Sequence, residues 1–333
     1  MSKYTIFDND KQKRYKTNTR LSKVKSSEFI KIKEINITDF ISCIPYILKG
    51  KDIRDLIDRA YLAYSTQKPI LFGIGGHVIK TGLSPLFIEM MKLGAIQGIC
   101  CNGSVVIHDF EIACFQGTSE DVADAIEDGS FGMASDTCDT INEIIKNASR
   151  EGLGYGEAIG KSFCERDDIL NSRKTNSNNE WWDNANFELS ILKNAYELNI
   201  PVTVHIGIGT DIVHQHKSAD GKAIGDCSLR DFKILTHLVS QLDNGGLFVN
   251  FGSAVIIPEV FLKALSVARN NNKSVKNFTT AVFDMNYQYR PYTNITERPV
   301  KNNGKGYYFI GHHEIMIPLF LLALKEKIIK NGG

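Results

Sequence analysis

Short, wholly apolar runs that break into glycine and then into a helical pattern recur along this chain. That alternation constrains its fold more than any other feature. It begins with "PILFGIGGHVIKTGLSPLFIEMMKLG" from residue 69 and repeats in "IQGICCNGSVVIHDFEIAC" from residue 96. "IPVTVHIGIGTD", "GGLFVNFGSAVIIPEVFLKALSVARN", "FTTAVFDMNYQYRP" and "GYYFIGHHEIMIPLFLLALKEK" follow in the same style. A run of four to eight apolar residues bounded by turn residues reads as a strand buried on both faces, and helices between such strands cover a parallel sheet. The expected fold class is therefore α/β, a doubly wound, mostly parallel, Rossmann-like sheet. The segments "KDIRDLIDRAYLAYST", "CDTINEIIKNASREG" and "NFELSILKNAYELN" add helices.

No Pro/Gly/Ser-rich linker divides the chain, so residues 51–333 read as one domain. Residues 1–50 read as a basic, mostly helical N-terminal extension carrying Lys11, Lys13, Arg14, Lys16, Arg20, Lys23 and Lys25. A formal net charge of +1 argues against a broad phosphate-reading face and so against a nucleic-acid binder. The seven cysteines lack paired spacing, which points to buried free thiols in a reducing compartment. No apolar stretch has the length of a membrane span and the N-terminus is charged, so a cytoplasmic location is expected.

Each polar cluster falls at the carboxyl end of an expected strand, where the loops of open α/β sheets hold their ligands. Gly73, Gly75 and Gly76 let the first turn bring backbone N–H groups toward an anion or nucleotide, with His77 beside them. The dinucleotide fingerprint GxGxxG is absent, because Val78 stands where the third glycine belongs. The second turn offers Asn102, Gly103, Ser104, His108, Asp109 and Glu111. Its acids suit ribose hydroxyls or a cationic substrate, and equally the positive end of a helix.

"HIGIGTDIVHQH" places His205, Asp211, His214 and His216 within twelve residues, and "GHHE" adds His312, His313 and Glu314. Such clusters can build a metal centre, but His214 and His216 do not share a helix face and HExxH is missing, so no metal ligand set is assigned. Orienting, protonating or binding a substrate is the better use of these side chains. Asp284 precedes Tyr287, Tyr289 and Arg290 on one loop, and Trp181 and Trp182 lie in a polar loop where an indole could cover a substrate.

From about residue 69 onward these strings and their order resemble the deoxyhypusine synthase family. "ILFGIGGHVIKTG" is similar to its first strand and turn, and "CNGSVVIHDFEIAC" to its second. Asp109, Asp211 and Asp284 fall on or near family acids, and His312 falls where the family has an aspartate. The resemblance implies NAD as cofactor and a polyamine or related small polar substrate. It also implies hydride abstraction followed by imine or aminoalkyl transfer through an enzyme lysine, in a homotetramer or dimer with sites between subunits.

On this basis Gly75, Gly76, His77, Asn102, Gly103, Ser104, Asp109, Asp284 and His313 are candidates for the cofactor. Asp211, His216, Glu259 and Trp182 are candidates for the substrate. His205, His214 and His312 would move protons. The stretch that carries the family's nucleophilic lysine reads "NITERPVKNNGKGYY" here, which makes Lys301 the covalent candidate and Lys305 its alternate. Two other functions stay open on the same scaffold: a metal-dependent hydrolase or lyase using the histidines, and a non-catalytic NAD-binding homologue.

Overall fold

The structure, a computed structural model, describes residues 13–28, 37–165 and 185–331. Its centre is a parallel sheet of β1 (Ile70–Ile74), β2 (Gly98–Asn102), β3 (Val202–His205), β4 (Leu247–Phe251), β5 (Thr279–Asp284) and β6 (Lys305–Ile310). The spatial order is β3-β2-β1-β4-β5-β6, with every neighbouring pair parallel. This is the 3-2-1-4-5-6 order of two half-sheets wound in opposite directions from the middle. The doubly wound α/β class expected from the apolar runs is what the chain adopts.

The connecting helices used below are α1 (Leu48–Ser65), α2 (Gly76–Lys80), α3 (Ser84–Lys92), α4 (Gly103–Phe115), α5 (Ser135–Glu151), α6 (Tyr155–Cys164), α7 (Ile191–Glu197), α8 (Gly221–Ser240), α9 (Ile256–Asn270) and α10 (His313–Asn331). The strands are apolar at successive positions because both faces are covered. Alternate residues serve opposite layers. Ile70, Phe72, Ile74, Phe251, Phe283 and Phe309 pack with α1, α3 and α10, whereas Leu71, Phe248, Val282 and Tyr308 pack with α8 and α9.

On the first face the aromatic rings interlock. Phe72 meets Phe251 edge-on with centroids 5.1 Å apart, and Phe283 stacks on Phe251 at 5.3 Å and on Phe309 at 4.8 Å. Each such ring fully removed from water contributes about 1.5–3 kcal/mol. Pro85 sits in the first turn of α3, where a missing N–H costs nothing. Five cysteines, Cys100, Cys101, Cys114, Cys138 and Cys227, are buried, and all seven are free thiols.

The N-terminal segment differs from the helical lead-in expected. Residues 13–28 run as short turns plus the two-residue strand Val24–Lys25, which pairs antiparallel with Gly117–Thr118. Their side chains explain why. Arg14 pairs with Asp139, Tyr15 with Glu120, Arg20 with Glu111 at 2.5 Å, and Lys23 with Asp121 at 2.5 Å. Extended backbone lets successive basic and hydroxyl groups reach carboxylates on the body of the domain. Farther along, α-helix does form at Thr38–Cys43.

Candidate functional site

Strand order reverses between β1 and β4, and in sheets of this kind the crevice for ligands opens outside the carboxyl ends at that point. Two glycine loops meet there. The Gly75 N–H donates to the Phe251 carbonyl and the Gly252 N–H to the Phe283 carbonyl, both at 2.9 Å. A Cβ on Gly75 would stand 2.6 Å from the Gly252 oxygen. Gly252 has a φ of +69°, and a Cβ there would stand 2.4 Å from the His313 ring. Close approach of two backbones and a ring thus explains both glycines.

At the head of α2, His77 Nδ1 lies 2.8 Å from His313 Nδ1. His313 Nε2 lies 3.3 Å from the Phe283 carbonyl, which can only accept, so that nitrogen carries the proton. His313 Nδ1 is then the acceptor, His77 Nδ1 donates, and the lone pair of the pair is left on His77 Nε2. Burial lowers the pKa of both rings and keeps them neutral near pH 7. Asp284, the last residue of β5, accepts the Asn286 N–H at 3.2 Å through Oδ1, while its other oxygen is buried without a partner among the described residues.

A cavity of about 210 Å³ opens beside this crevice, between α2 and α4, with Arg20, Lys80, Ser104, His108 and Asp211 in its wall. Gly76 permits it, since a Cβ there would meet Ser104 Oγ at 2.6 Å and the His108 ring at 3.1 Å. Thr118 donates its hydroxyl to Glu111 at 2.5 Å and so must accept from His108 Nδ1 at 2.7 Å. Glu111 also accepts from Arg20 at 2.5 Å and from Thr137 at 3.1 Å. The relay runs from His108 through Thr118 to Glu111 and fixes a neutral tautomer with its lone pair on His108 Nε2. Burial, with Lys80 and Arg20 nearby, holds the His108 pKa down to about 3.

Asp211 packs against the first residue of α4, where a Cβ on Gly103 would lie 2.2 Å from Asp211 Oδ2. That oxygen has no hydrogen-bond partner among the described residues, and burial raises the carboxyl to about 6. Ser104 Oγ donates to Asn102 Oδ1 at 2.9 Å. Lys80 makes no hydrogen bond or ion pair with a described residue, and its pKa is lowered by burial and then by Lys23.

Gly75, Gly76, His77, Asn102, Gly103, Ser104, Asp211, Asp284, His312 and His313 therefore do share the carboxyl rim of one sheet. Other candidates are engaged elsewhere. Asp109 is buried and accepts from Ser190 Oγ at 2.5 Å, Ile191 N at 2.8 Å and Leu192 N at 3.3 Å, so its carboxylate caps α7. His205 lies on the face covered by α8 and α9, bonded to Thr203 at 3.0 Å, with burial lowering it to about 3. His214 Nδ1 accepts from Gly209 N at 3.1 Å and Asp211 N at 3.3 Å within its own loop. His216 is bonded to the Gly132 carbonyl at 2.8 Å.

His312 is exposed, 3.7 Å from Glu314. Glu259 is held by Lys263, by Arg290 at 3.3 Å and by Asn294 at 3.0 Å. Trp182 lies outside the described residues. The largest correction concerns Lys301. It sits in the turn before β6, where Asn277 N donates to Asn302 O and Gly304 N to Val300 O, at the amino end of the sheet. Lys305 opens β6 at that same end. A six-residue strand, about 20 Å long, separates both from the rim. The histidine cluster does not close on an ion either. Among the described residues no three His, Cys, Asp or Glu side chains converge in a metal-binding group.

Lys80, Arg20, Thr118 and His108 went unassigned in the sequence, and Glu111, offered there as an acid for ribose or a cationic substrate, is engaged by Arg20, Thr118 and Thr137. One signal was available: Ser104, His108 and Glu111 recur at i, i+4 and i+7 on an otherwise apolar helix, so they share one face. Asp109, one position off, turns to a different neighbour.

No protein-family model matches the chain, and no curated protein matches its sequence. Solved structures do match in shape. The ternary complex of AgrE with ornithine and NAD+ aligns at TM-score 0.50 and 12% identity, over 90% of this chain and 35% of that one. Unliganded AgrE aligns at TM-score 0.50 and 11% identity, over 90% of this chain and 34% of that one. A putative deoxyhypusine synthase from Entamoeba histolytica aligns at TM-score 0.47 and 11% identity, over 88% and 96% respectively. This chain spans about a third of the length of AgrE and of the cyanobacterial arginine dihydrolase ArgZ. Among the described residues no helix is long and apolar enough to cross a membrane. The chain is thus similar to AgrE in fold.

Proposed function

We propose that this protein is an NAD-dependent enzyme that oxidises a small amine-bearing substrate, with the dinucleotide lying across the crevice between the β1 and β4 loops. The observation that carries this reading is the meeting of Gly75, Gly252, His77, His313 and Asp284 at the point where strand order reverses. Gly75 and Gly252 bring the two loops together at the switch point, where a dinucleotide would lie. The unpartnered Asp284 oxygen suits a ribose hydroxyl or amide donor. Bound NAD+ would supply the hydride acceptor. His77, neutral with a free Nε2 and backed by His313, would take the proton released from the substrate amine.

The AgrE complex, which holds ornithine and NAD+, lends support at the level of a shared scaffold. Covalent transfer through Lys301 is not part of the proposal, because that residue lies at the far end of the sheet. Self-association with sites between subunits remains part of it, on the resemblance to the deoxyhypusine synthases, and light scattering on the purified protein measures it.

Calorimetric titration with NAD+, together with NADH formation over a panel of amines and amino acids, tests the reading. Saturable NAD+ binding and amine-dependent NADH are expected, with turnover lost in His77→Ala while NAD+ still binds. NAD+ binding without turnover on any amine would establish the non-catalytic homologue instead. No NAD+ binding would overturn the proposal.

A further inference from the structure

The central sheet ends in two edge strands, β3 and β6, and the chain treats them differently. An edge strand presents a row of N–H and carbonyl groups without a neighbour, which invites pairing with another chain unless something covers it. The β3 edge is sealed. The Val204 N–H donates to Asp231 Oδ2 at 2.7 Å and the Ile206 N–H to Ser228 Oγ at 3.1 Å, while Ser228 donates back to the Val204 carbonyl at 2.9 Å. Asp231 also accepts the Gly156 N–H at 3.1 Å, which docks the start of α6 against the same edge.

The β6 edge is left open. The Lys305 N–H donates to the Phe278 carbonyl at 3.1 Å and the Gly311 N–H to Asp284 at 3.0 Å, both toward β5. Backbone groups alternate in direction along a strand, so those of Gly306, Tyr308 and Ile310 point outward. None of these three N–H groups or carbonyls bonds to a described residue, and Ile310 is 58% exposed. The start of α1 runs beside this strand, with Lys49 Nζ 5.7 Å from the centroid of the Phe309 ring. There Tyr46, Ile47 and Leu48 all stand in solvent, Leu48 at 83%. An apolar run of this kind beside a free ladder marks a surface that another protein covers.

Self-complementarity decides the partner. Antiparallel pairing of β6 with itself about a twofold axis at Tyr308 sets Gly306 opposite Ile310 and Tyr308 opposite Tyr308. The three outward N–H groups of each copy then meet the three outward carbonyls of the other. Tyr307 falls opposite Phe309 across the seam, an aromatic cross-strand pair. We propose that two copies of this chain join edge to edge through β6, fusing their sheets into one, with Tyr46, Ile47 and Leu48 flanking the seam. The proposal rests on the self-association in the reading above and assigns it a surface. That surface is separate from any contact over the ligand crevice, because β5 stands between β6 and β4.

Sedimentation velocity of the full chain over a dilution series, with amide hydrogen exchange at both ends of that series, tests the seam. A concentration-dependent dimer is expected, and the Tyr308 and Ile310 amides should exchange more slowly only as it forms. Ile310→Pro deletes a donor that the single chain does not use, and Leu48→Lys charges the flank. Each should weaken dimerisation roughly tenfold or more, with the circular dichroism of the fold unchanged. Ile208→Lys, at an exposed position on the loop after β3, should leave the dimer intact. Association that survives both Ile310→Pro and Leu48→Lys, or that is lost only in Ile208→Lys, overturns the β6 seam and leaves self-association standing. Tyr308 and Ile310 amides that exchange at one rate at every concentration overturn it as well. A monomer throughout the series overturns the seam and self-association together, and NAD+ binding is untouched by either result.

Discussion

Replacing Asp211 by asparagine should stabilise the protein near neutral pH and leave its stability nearly unchanged in acid. The carboxyl is pushed from an ordinary 3.8 to about 6 by burial, which outweighs a hydrogen bond from Thr210. A rise of that size corresponds to about 3 kcal/mol disfavouring the ionised form. The nearby positive end of α4 works the other way, by about 0.3–1 kcal/mol, so desolvation wins and about 2 kcal/mol remains. The sign follows from proton counting. Between the unfolded and folded values the native state holds a proton that the unfolded chain has released, so stability falls as pH rises through that window and is lost above about 6.

Asparagine has no proton to lose and keeps an oxygen for the His214 N–H that caps this loop. Urea unfolding of both proteins at about pH 4 and about pH 8 measures the difference. The two midpoints should nearly coincide at the lower pH, and the variant should lead by about 2 kcal/mol at the higher one. A gap that is the same at both values, or a variant less stable at the higher one, would refute the claim that burial outweighs the hydrogen bonds made to the Asp211 carboxylate.

Two further outcomes follow from buried polar side chains. Thr118→Val removes the hydroxyl between His108 and Glu111 and should cost about 1–3 kcal/mol, because it leaves a buried ring N–H and a carboxylate oxygen unmatched. Thermal unfolding measures the loss, and nitrogen chemical shifts of the His108 ring should report release of its fixed tautomer. His205, with its pKa lowered from 6.5 to about 3, stabilises the fold fully above about 6.5 and progressively less as pH falls toward 3. His205→Gln should therefore flatten the acid side of the urea midpoint against pH, and an unaltered profile would contradict its burial.

Much of the fold was legible because a parallel sheet covered on both faces writes itself as uninterrupted apolar runs. β1, β2, β4 and β5 all lie inside strings picked out on that ground, and their glycine turns fall on the rim where a ligand belongs. The site was only partly legible. Asp109 and Asp211 look alike in sequence, both acids shortly after a glycine-rich turn, yet one satisfies its oxygens on α7 and the other leaves one bare. Which of these occurs depends on α7, some eighty residues downstream, and local pattern carries no trace of it.

Lys301 was misplaced for a different reason. Alignment by likeness fixed its position along the chain, but the β5–β6 connection puts that stretch at the amino end of the sheet. The basic N-terminal residues read as an extension because their partners, Glu111, Glu120, Asp121 and Asp139, lie about a hundred positions away.

Arg20 closes the cavity from a segment that precedes Glu111 by ninety-one positions. Occupancy of the cavity and docking of that strap are consequently one linked equilibrium, since whatever steadies the wall steadies the strap. Amide protons of residues 13–25 should exchange more slowly when a ligand is bound. A fusion or truncation that tugs on this end of the polypeptide should be felt as weaker ligand affinity well before it is felt as a lower melting temperature.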